Sequence, residues 1–216
     1  MVWCSHCTAT ARHFDRRRAD KDLARYRRKG AGSATRLLLA ELDQAGVTGR
    51  TVVDVGGGIG VIGLELCPRG LDRVVMVEAS PSYIAVATEQ YASKQLHDRL
   101  TTLEGDFATL HEPPVADIVT LDRVVCCYPD FRLLLDRAAS SAQQTVVLSF
   151  PRDRWFVRLS LAAENLVRRL SGNSFRTFVH SPRQMAAILH KAGLRQVGHR
   201  STLTWQVERW TREHTV

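Results

Sequence analysis

The chain lacks several things whose absence narrows its nature. Across 216 residues no apolar run reaches the ~18 residues that a membrane span needs. The start, "MVWCSHCTATARHF", has no sustained apolar stretch of the kind that opens a secretory signal. There is no internal repeat and no low-complexity tract. Cysteine is scarce and odd in number, five in all (Cys4, Cys7, Cys67, Cys126, Cys127), so a disulfide framework is not expected and the cysteines read as thiols. Cys4 and Cys7 form a C-x-x-C with His6 inside it and His13 nearby. No second C-x-x-C or H-x-x-x-H follows, so no metal site is expected. These absences predict a cytoplasmic protein with one α/β domain large enough for its own core.

What is present is unevenly placed charge. Of the net +8, residues 11–30 hold seven Arg and two Lys against three Asp, or +6. Asp20 has Ala24 four residues on and Asp22 has Tyr26, so no i,i+4 pair neutralises the segment in that direction. A basic arm of this kind favours an anionic partner, whether nucleic acid, a lipid surface or an acidic small molecule.

Apolar periodicity gives the frame. Residues 1–46 read as a helical arm broken at Gly30 to Ser33, and "ATRLLLAELDQAG" as a helix ended by Gly46. From residue 47 to 216, short apolar runs alternate with helical ones. "TVVDV", "RVVMVEAS", "LTTLEGDF", "DIVTLDRVV" and "TVVLSFP" are five strands with helices between them, the pattern of a parallel sheet covered on both faces. The ending departs from it: "LRQVGHRSTL" and "TWQVERWTR" leave no room for a crossover helix, so they form a hairpin and one strand is antiparallel.

The chemistry gathers at "VVDVGGGIGVIGLEL", a strand running into a glycine turn and then a helix. Gly58, Gly60 and Gly63 fit G-x-G-x-x-G, a dinucleotide pattern, whereas Asp54, Gly56, Gly58 and Gly60 fit D-x-G-x-G-x-G. Glu78, closing the second strand, can take two ribose hydroxyls in either case. Asp54 separates the two: it would repel a pyrophosphate but suits a cofactor with an amino group and a sulfonium. Asp106 at the tip of the third strand can accept from an adenine amine, with Phe107 to pack on the ring. Gly63 is then a small residue for helix-to-sheet packing.

In order, spacing and strand position these residues resemble the first motifs of the class I S-adenosylmethionine (SAM)-dependent methyltransferases. The resemblance implies a Rossmann-like α/β fold: a mixed seven-stranded sheet with a terminal antiparallel strand, an N-terminal helical arm and a lid inserted after the fifth strand, at 152–180. It implies SAM as cofactor. The residues that would hold it are Asp54, Gly56, Gly58 and Gly60 from the loop, Glu78 and Ala79 after the second strand, Asp106 and Phe107 after the third, and Asp122 after the fourth.

Some acceptors are set aside. Enzymes acting on exocyclic base nitrogens carry (D/N)-P-P-(Y/F) after the fourth strand, where this chain has "LDRVVCCYPD"; nor is there the Pro-Cys pair of cytosine-C5 enzymes. Beyond the core motifs, "DIVTLDRVVCCYPD", "VVLSFPRDRW" with the lid and helix after it, and the arm "FDRRRADKDLARYRRKG" are similar to segments of the magnesium-protoporphyrin IX O-methyltransferases. That likeness implies O-methylation of a carboxylate, or of a hydroxyl, on a small or medium-sized acceptor that is anionic and partly apolar. Arginines of the arm would hold acidic edges, and Trp155, Phe156, Leu159, Leu161 and Phe175 of the lid would line a flat apolar body. Tyr128, Cys127 and Tyr26 are the expected substrate-side residues. Cys127 stands where those enzymes usually have a histidine, which keeps open a SAM-binding regulator without turnover. An RNA or protein methyltransferase guided by the arm, peripheral membrane contact by the lid, and a nicotinamide enzyme are the other readings left standing.

Overall fold

The computed structural model describes residues 10–213, so Cys4, Cys7 and the expectation attached to them lie outside the described residues. Strands β1 (Thr51–Val55), β2 (Arg73–Glu78), β4 (Ala116–Asp122) and β5 (Ala142–Pro151) are runs of Val, Ile and Leu buried nearly end to end, as strands covered on both faces must be. With β3 (Leu100–Glu104) they form five parallel strands. β7 (Trp205–Arg212) runs antiparallel to β5, and β6 (Leu194–Ser201) antiparallel to β7. The strand order is β3-β2-β1-β4-β5-β7-β6, so the expected hairpin forms and closes one edge of a seven-stranded mixed sheet.

Helices α1 (Arg16–Lys29), α2 (Ser33–Ala45), α3 (Val61–Leu66), α4 (Pro81–Ser93), α5 (Phe131–Ser141), α6 (Trp155–Leu170) and α7 (Pro182–Lys191) accompany the sheet, with a few 3-10 turns. Two apolar layers cover the sheet. Leu38, Leu42, Val52, Val74, Ile118 and Val207 belong to one, Val53, Val119, Leu134, Leu148, Met185 and Trp210 to the other. Helix α2 is therefore part of the main core, and the arm joins it through α1. Ala19 and Leu23 of α1 pack with Ile59, Tyr83 and Val86 in a third cluster beside the glycine turn.

The basic arm is better neutralised than the forward spacing predicts. Arg16 pairs backwards along the helix with Asp20 at 2.9 Å and across to Glu89 on α4 at 3.0 Å, while Arg25 pairs with Asp22 at 2.9 Å. Asp15 caps α1 by accepting from the Arg18 amide, and Arg27, Arg28 and Lys29 face the negative end of the helix dipole.

At the hairpin, β6 shifts register between Gln196 and Gly198, and a side chain at 198 would collide with the Glu41 carboxylate. Glu41, buried on α2, takes Arg200 at 2.8 Å and Arg209 at 3.0 Å. One buried acid thus fixes α2 against both terminal strands. Among the described residues no helix is long and apolar enough to cross a membrane.

Candidate active site

The order of the strands reverses between β1 and β4, and in open α/β sheets the crevice beyond the carboxyl ends at such a point is where ligands bind. The turn after β1 is built for it. Gly56, Gly58 and Gly60 have φ of 61°, 59° and 79°, the left-handed region that glycine enters without a Cβ clash. A Cβ on Gly57 would lie 2.6 Å from both Asp54 Oδ2 and Met76 Cγ, so the backbone is pressed onto the strand ends. Gly63 abuts Tyr91 and Val74, which fits its expected packing role.

Glu78 braces this turn. Its Oε2 accepts from the Gly58 amide at 3.1 Å and its Oε1 from the Ser80 amide at 2.8 Å. Burial raises its pKa against these bonds, and each oxygen retains a lone pair for a hydroxyl. Asp54 is more isolated. It is 1% exposed, its Oδ1 accepts from Thr120 Oγ1 at 2.7 Å, and its Oδ2 has no hydrogen-bond partner among the described residues. Burial pushes its pKa up to about 7; the Thr120 bond opposes this, while Asp122 and Glu78 add to it. A buried carboxylate with an orphan oxygen beside a glycine turn fits a cationic group, as the amino group of SAM is.

On the far wall Asp106 Oδ1 accepts from the Ala108 amide at 3.1 Å and Oδ2 from the Tyr128 hydroxyl at 2.8 Å. Asp122, at the end of β4, accepts from Ser149 Oγ at 2.5 Å and Thr35 Oγ1 at 2.6 Å, which fixes the floor between the two halves.

These groups open into a cavity of about 630 Å³, lined on the cradle side by Gly56, Gly58, Glu78, Ala79, Asp106 and Phe107. Its other half comes from the arm and the lid, His13, Phe14, Arg18, Phe156, Leu161, Arg168 and Phe175, with Cys127 from the turn after β4 and Trp205 from the hairpin. The arm is tied down at both ends. Ser80 Oγ donates to the Phe14 carbonyl at 2.6 Å and Tyr83 OH to Asp22 at 2.6 Å on the cradle side, while His13 stacks on Phe175 of the lid with centroids 4.2 Å apart.

His13 is neutral, its pKa brought down to about 4 by burial and by the Arg18 and Arg168 charges. Its tautomer follows from its neighbour. Asn173 Oδ1 accepts from the Phe175 amide at 2.9 Å, so Asn173 Nδ2 is the donor to His13 Nδ1, also at 2.9 Å, and the proton sits on Nε2. That Nε2 is buried and has no hydrogen-bond partner among the described residues. With Nδ1 accepting from Asn173, His13 is not a base.

The expected residues are distributed as follows. Gly56, Gly58, Glu78, Ala79, Asp106, Phe107 and Asp122 line the large cavity together with Cys127 and Tyr128. Asp54 lines a smaller adjoining cavity of about 260 Å³, and Gly60 supports the turn from behind, against Ala87 and Tyr91. Tyr26 faces the smaller cavity; its hydroxyl donates to Glu65 at 2.8 Å, and burial together with this bond raises its pKa. Of the lid apolars, Phe156, Leu161 and Phe175 face inward, whereas Trp155 and Leu159 are 77% and 63% exposed. The helical period puts Val157, Leu161 and Arg168 on one side of α6 and Trp155 and Leu159 on the other. His13, Phe14 and Trp205 were not singled out from sequence as site residues; the Phe14 that opens the basic arm was the nearest signal.

The fold is that of the class I SAM-dependent methyltransferases. A family model described as methyltransferase small domain matches residues 23–122. Among solved structures, the chain resembles magnesium protoporphyrin IX methyltransferase from Synechocystis PCC 6803 with bound SAH, at TM-score 0.74 and 19% identity over 97% of this chain and 100% of that one. It also resembles an O-methyltransferase family protein from Burkholderia thailandensis, at TM-score 0.72 and 18% identity over 94% of this chain and 63% of that one. Among curated relatives, ribosomal protein L11 methyltransferase of Carboxydothermus hydrogenoformans is 30% identical over 36% of this chain and 25% of that protein. The Geobacter metallireducens counterpart is 35% identical over 41% of this chain and 26% of its own length. The chain thus spans about a quarter of the length of the curated relatives it matches.

Proposed function

We propose that this chain is a SAM-dependent methyltransferase acting on a small or medium-sized organic acceptor, by O-methylation of a carboxylate or hydroxyl on a partly apolar, anionic molecule. The observation that carries the reading is that one cavity joins the Glu78 and Asp106 cradle to a chamber walled by Phe156, Phe175, Arg18 and Arg168. Glu78 would take the ribose hydroxyls and Asp106 the adenine amine beside Phe107, while Asp54, in the adjoining smaller cavity, would attract the amino group. When bound, SAM supplies a methyl group activated by a sulfonium.

The chain's own part is positioning. A carboxylate is already ionised at neutral pH, so its methylation needs alignment and charge neutralisation rather than a strong base. Arg18 lines the cavity with no ion pair among the described residues, and Arg168 is held by Glu164, Asn165 and Thr177. Both can face an acid group. Phe14, Phe156 and Phe175 exclude water.

Calorimetric binding of SAH, followed by mass spectrometry after incubation with SAM and magnesium-protoporphyrin IX, tests both halves. A methyl ester supports the reading in full. SAH binding without an ester moves the search to other acids and phenols, and no SAH binding refutes it. A protein acceptor is the second reading, favoured by the L11 methyltransferase matches. Label from methyl-tritiated SAM in a ribosomal protein fraction, with none in small acids, would establish that alternative.

A further inference from the structure

Cys126 and Cys127 stand side by side in the 3-10 turn Val125–Cys127 that follows β4. Their sulfurs are 3.7 Å apart, and each lies 3.4 Å from the Arg123 carbonyl oxygen. Both line the cavity wall, Cys126 buried and Cys127 partly exposed. The surroundings of the two differ in charge. The contact with the Cys126 sulfur and the guanidiniums of Arg123, Arg168 and Arg18 favour a thiolate at Cys127, so its pKa lies below that of an ordinary thiol despite burial. The same contact and burial hold Cys126 protonated. A cation-flanked thiol with a second thiol in reach is the arrangement of an oxidant-sensing pair.

We propose that Cys126 and Cys127 form a peroxide-reactive dithiol, and that its closure to a vicinal disulfide disables the cofactor cradle through Tyr128. The Cys127 thiolate attacks one oxygen of a hydroperoxide; the O–O bond breaks, hydroxide leaves and takes up the proton that Cys127 had released, and Cys127 becomes a sulfenic acid. The Cys126 sulfur then attacks the sulfenic sulfur, the S–S bond forms, the S–O bond breaks, and water leaves with the Cys126 proton. Two thiols are oxidised while hydrogen peroxide is reduced to two waters.

Closure must move backbone. The sulfurs have to approach from 3.7 Å to about 2.05 Å. Neighbouring Cα atoms sit about 3.8 Å apart, short of the roughly 4.4 Å at which disulfides ordinarily begin. The strain falls on peptides that hold the site together. Tyr128 OH donates to Asp106, the Cys126 carbonyl accepts from the Phe178 amide at 2.7 Å, and the Tyr128 carbonyl lies 3.1 Å from His180 Nε2. A strained bond is also readily reduced, so the switch resets with cellular dithiols. The effect on the cradle rests on the SAM reading above; the dithiol chemistry does not.

The test treats the full chain with stoichiometric hydrogen peroxide and reads two things. The tryptic peptide 124–132, which carries both cysteines, is expected to lose two hydrogens without alkylation. SAH affinity is expected to fall roughly tenfold, the effect of losing a hydrogen bond to a charged group, and to recover with dithiothreitol. In Cys126→Ser no disulfide can form, so the same treatment should leave peptide 124–132 at most one oxygen heavier and SAH affinity close to that of the untreated variant. Oxidation of Cys67 with peptide 124–132 unchanged overturns the proposal, as does a disulfide that leaves SAH affinity intact. A reduced chain that never binds SAH overturns the cradle half along with the SAM reading, and the mass of peptide 124–132 then still decides the dithiol.

Discussion

Tyr128 donates its hydroxyl to Asp106 Oδ2 at 2.8 Å, so the side chain expected to face the acceptor is bound to the cofactor half of the cavity. The bond spans from the loop after β4 to the loop after β3, and the residue before it, Cys127, lines the same cavity. Tyr128 is thereby a link between the two halves. Its phenol orients the Asp106 carboxylate, and its backbone follows the turn that carries Cys127.

Tyr128→Phe keeps the ring and removes that donor. SAH affinity is expected to drop about tenfold, the cost of losing a hydrogen bond to a charged acceptor, while KM for the acceptor changes less. Calorimetry on the variant decides it: unchanged SAH affinity with a raised acceptor KM would return Tyr128 to the substrate side.

Asp54 trades stability for binding. Its folded pKa is raised from 3.8 to about 7, so below pH 4 both folded and unfolded chains hold the proton and nothing is lost. As pH climbs from 4 to 7 the unfolded chain ionises first, and stability declines until the folded group also ionises. The full shift corresponds to roughly 4 kcal/mol as an upper bound. Asp54→Asn removes this slope and should melt higher than wild type at pH 8 while losing SAH binding. A variant that melts lower at pH 8, or still binds SAH, would contradict the assignment.

The strands, the glycine turn and its acidic partners were legible because each is a local pattern: an apolar run, a φ that favours glycine, a carboxylate at a strand end. The hairpin was legible for a negative reason, since too few residues separate the last two runs for a crossover. The rest required distance in sequence to become proximity in space. His13 meets Asn173 and Phe175 across 160 residues and Trp205 arrives from β7, and nothing in either neighbourhood marks the encounter. Composition showed that the lid is apolar but not which side of α6 turns inward, so Trp155 and Leu159 were grouped with Phe156 and Leu161. Arg16 finds Glu89 on another helix, which no spacing rule within the arm could supply.

Glu41 is the clearest test of how the terminal hairpin is held. Two arginines, Arg200 and Arg209, satisfy one buried carboxylate against the register shift at Gly198. Glu41→Gln leaves Arg209, itself mostly buried, without its charge partner, and removing one member of such a pair costs about 3 kcal/mol. Urea unfolding should show a lower midpoint at unchanged slope. A loss below about 0.5 kcal/mol would mean that water replaces the carboxylate, as at exposed pairs.

His13 makes the junction between arm and lid sensitive to acid. Its folded pKa of about 4 lies under the ordinary 6.5, so the neutral ring is favoured in the folded chain and the charged ring in the unfolded one. Above pH 6.5 the contact is fully present; it weakens as pH falls and is lost by about pH 4. The ring is only half buried, so the change is on the order of 1 kcal/mol after discounting for solvent screening. Trypsin cutting at Arg12 or the Arg16 to Arg18 run after brief acid exposure should quicken between pH 6 and pH 5 relative to a cut elsewhere in the chain, each normalised to the rate on an unfolded peptide. His13→Phe, which keeps the stack on Phe175 but cannot take a proton, should flatten that dependence. An acid response that persists in His13→Phe would place the titrating group elsewhere.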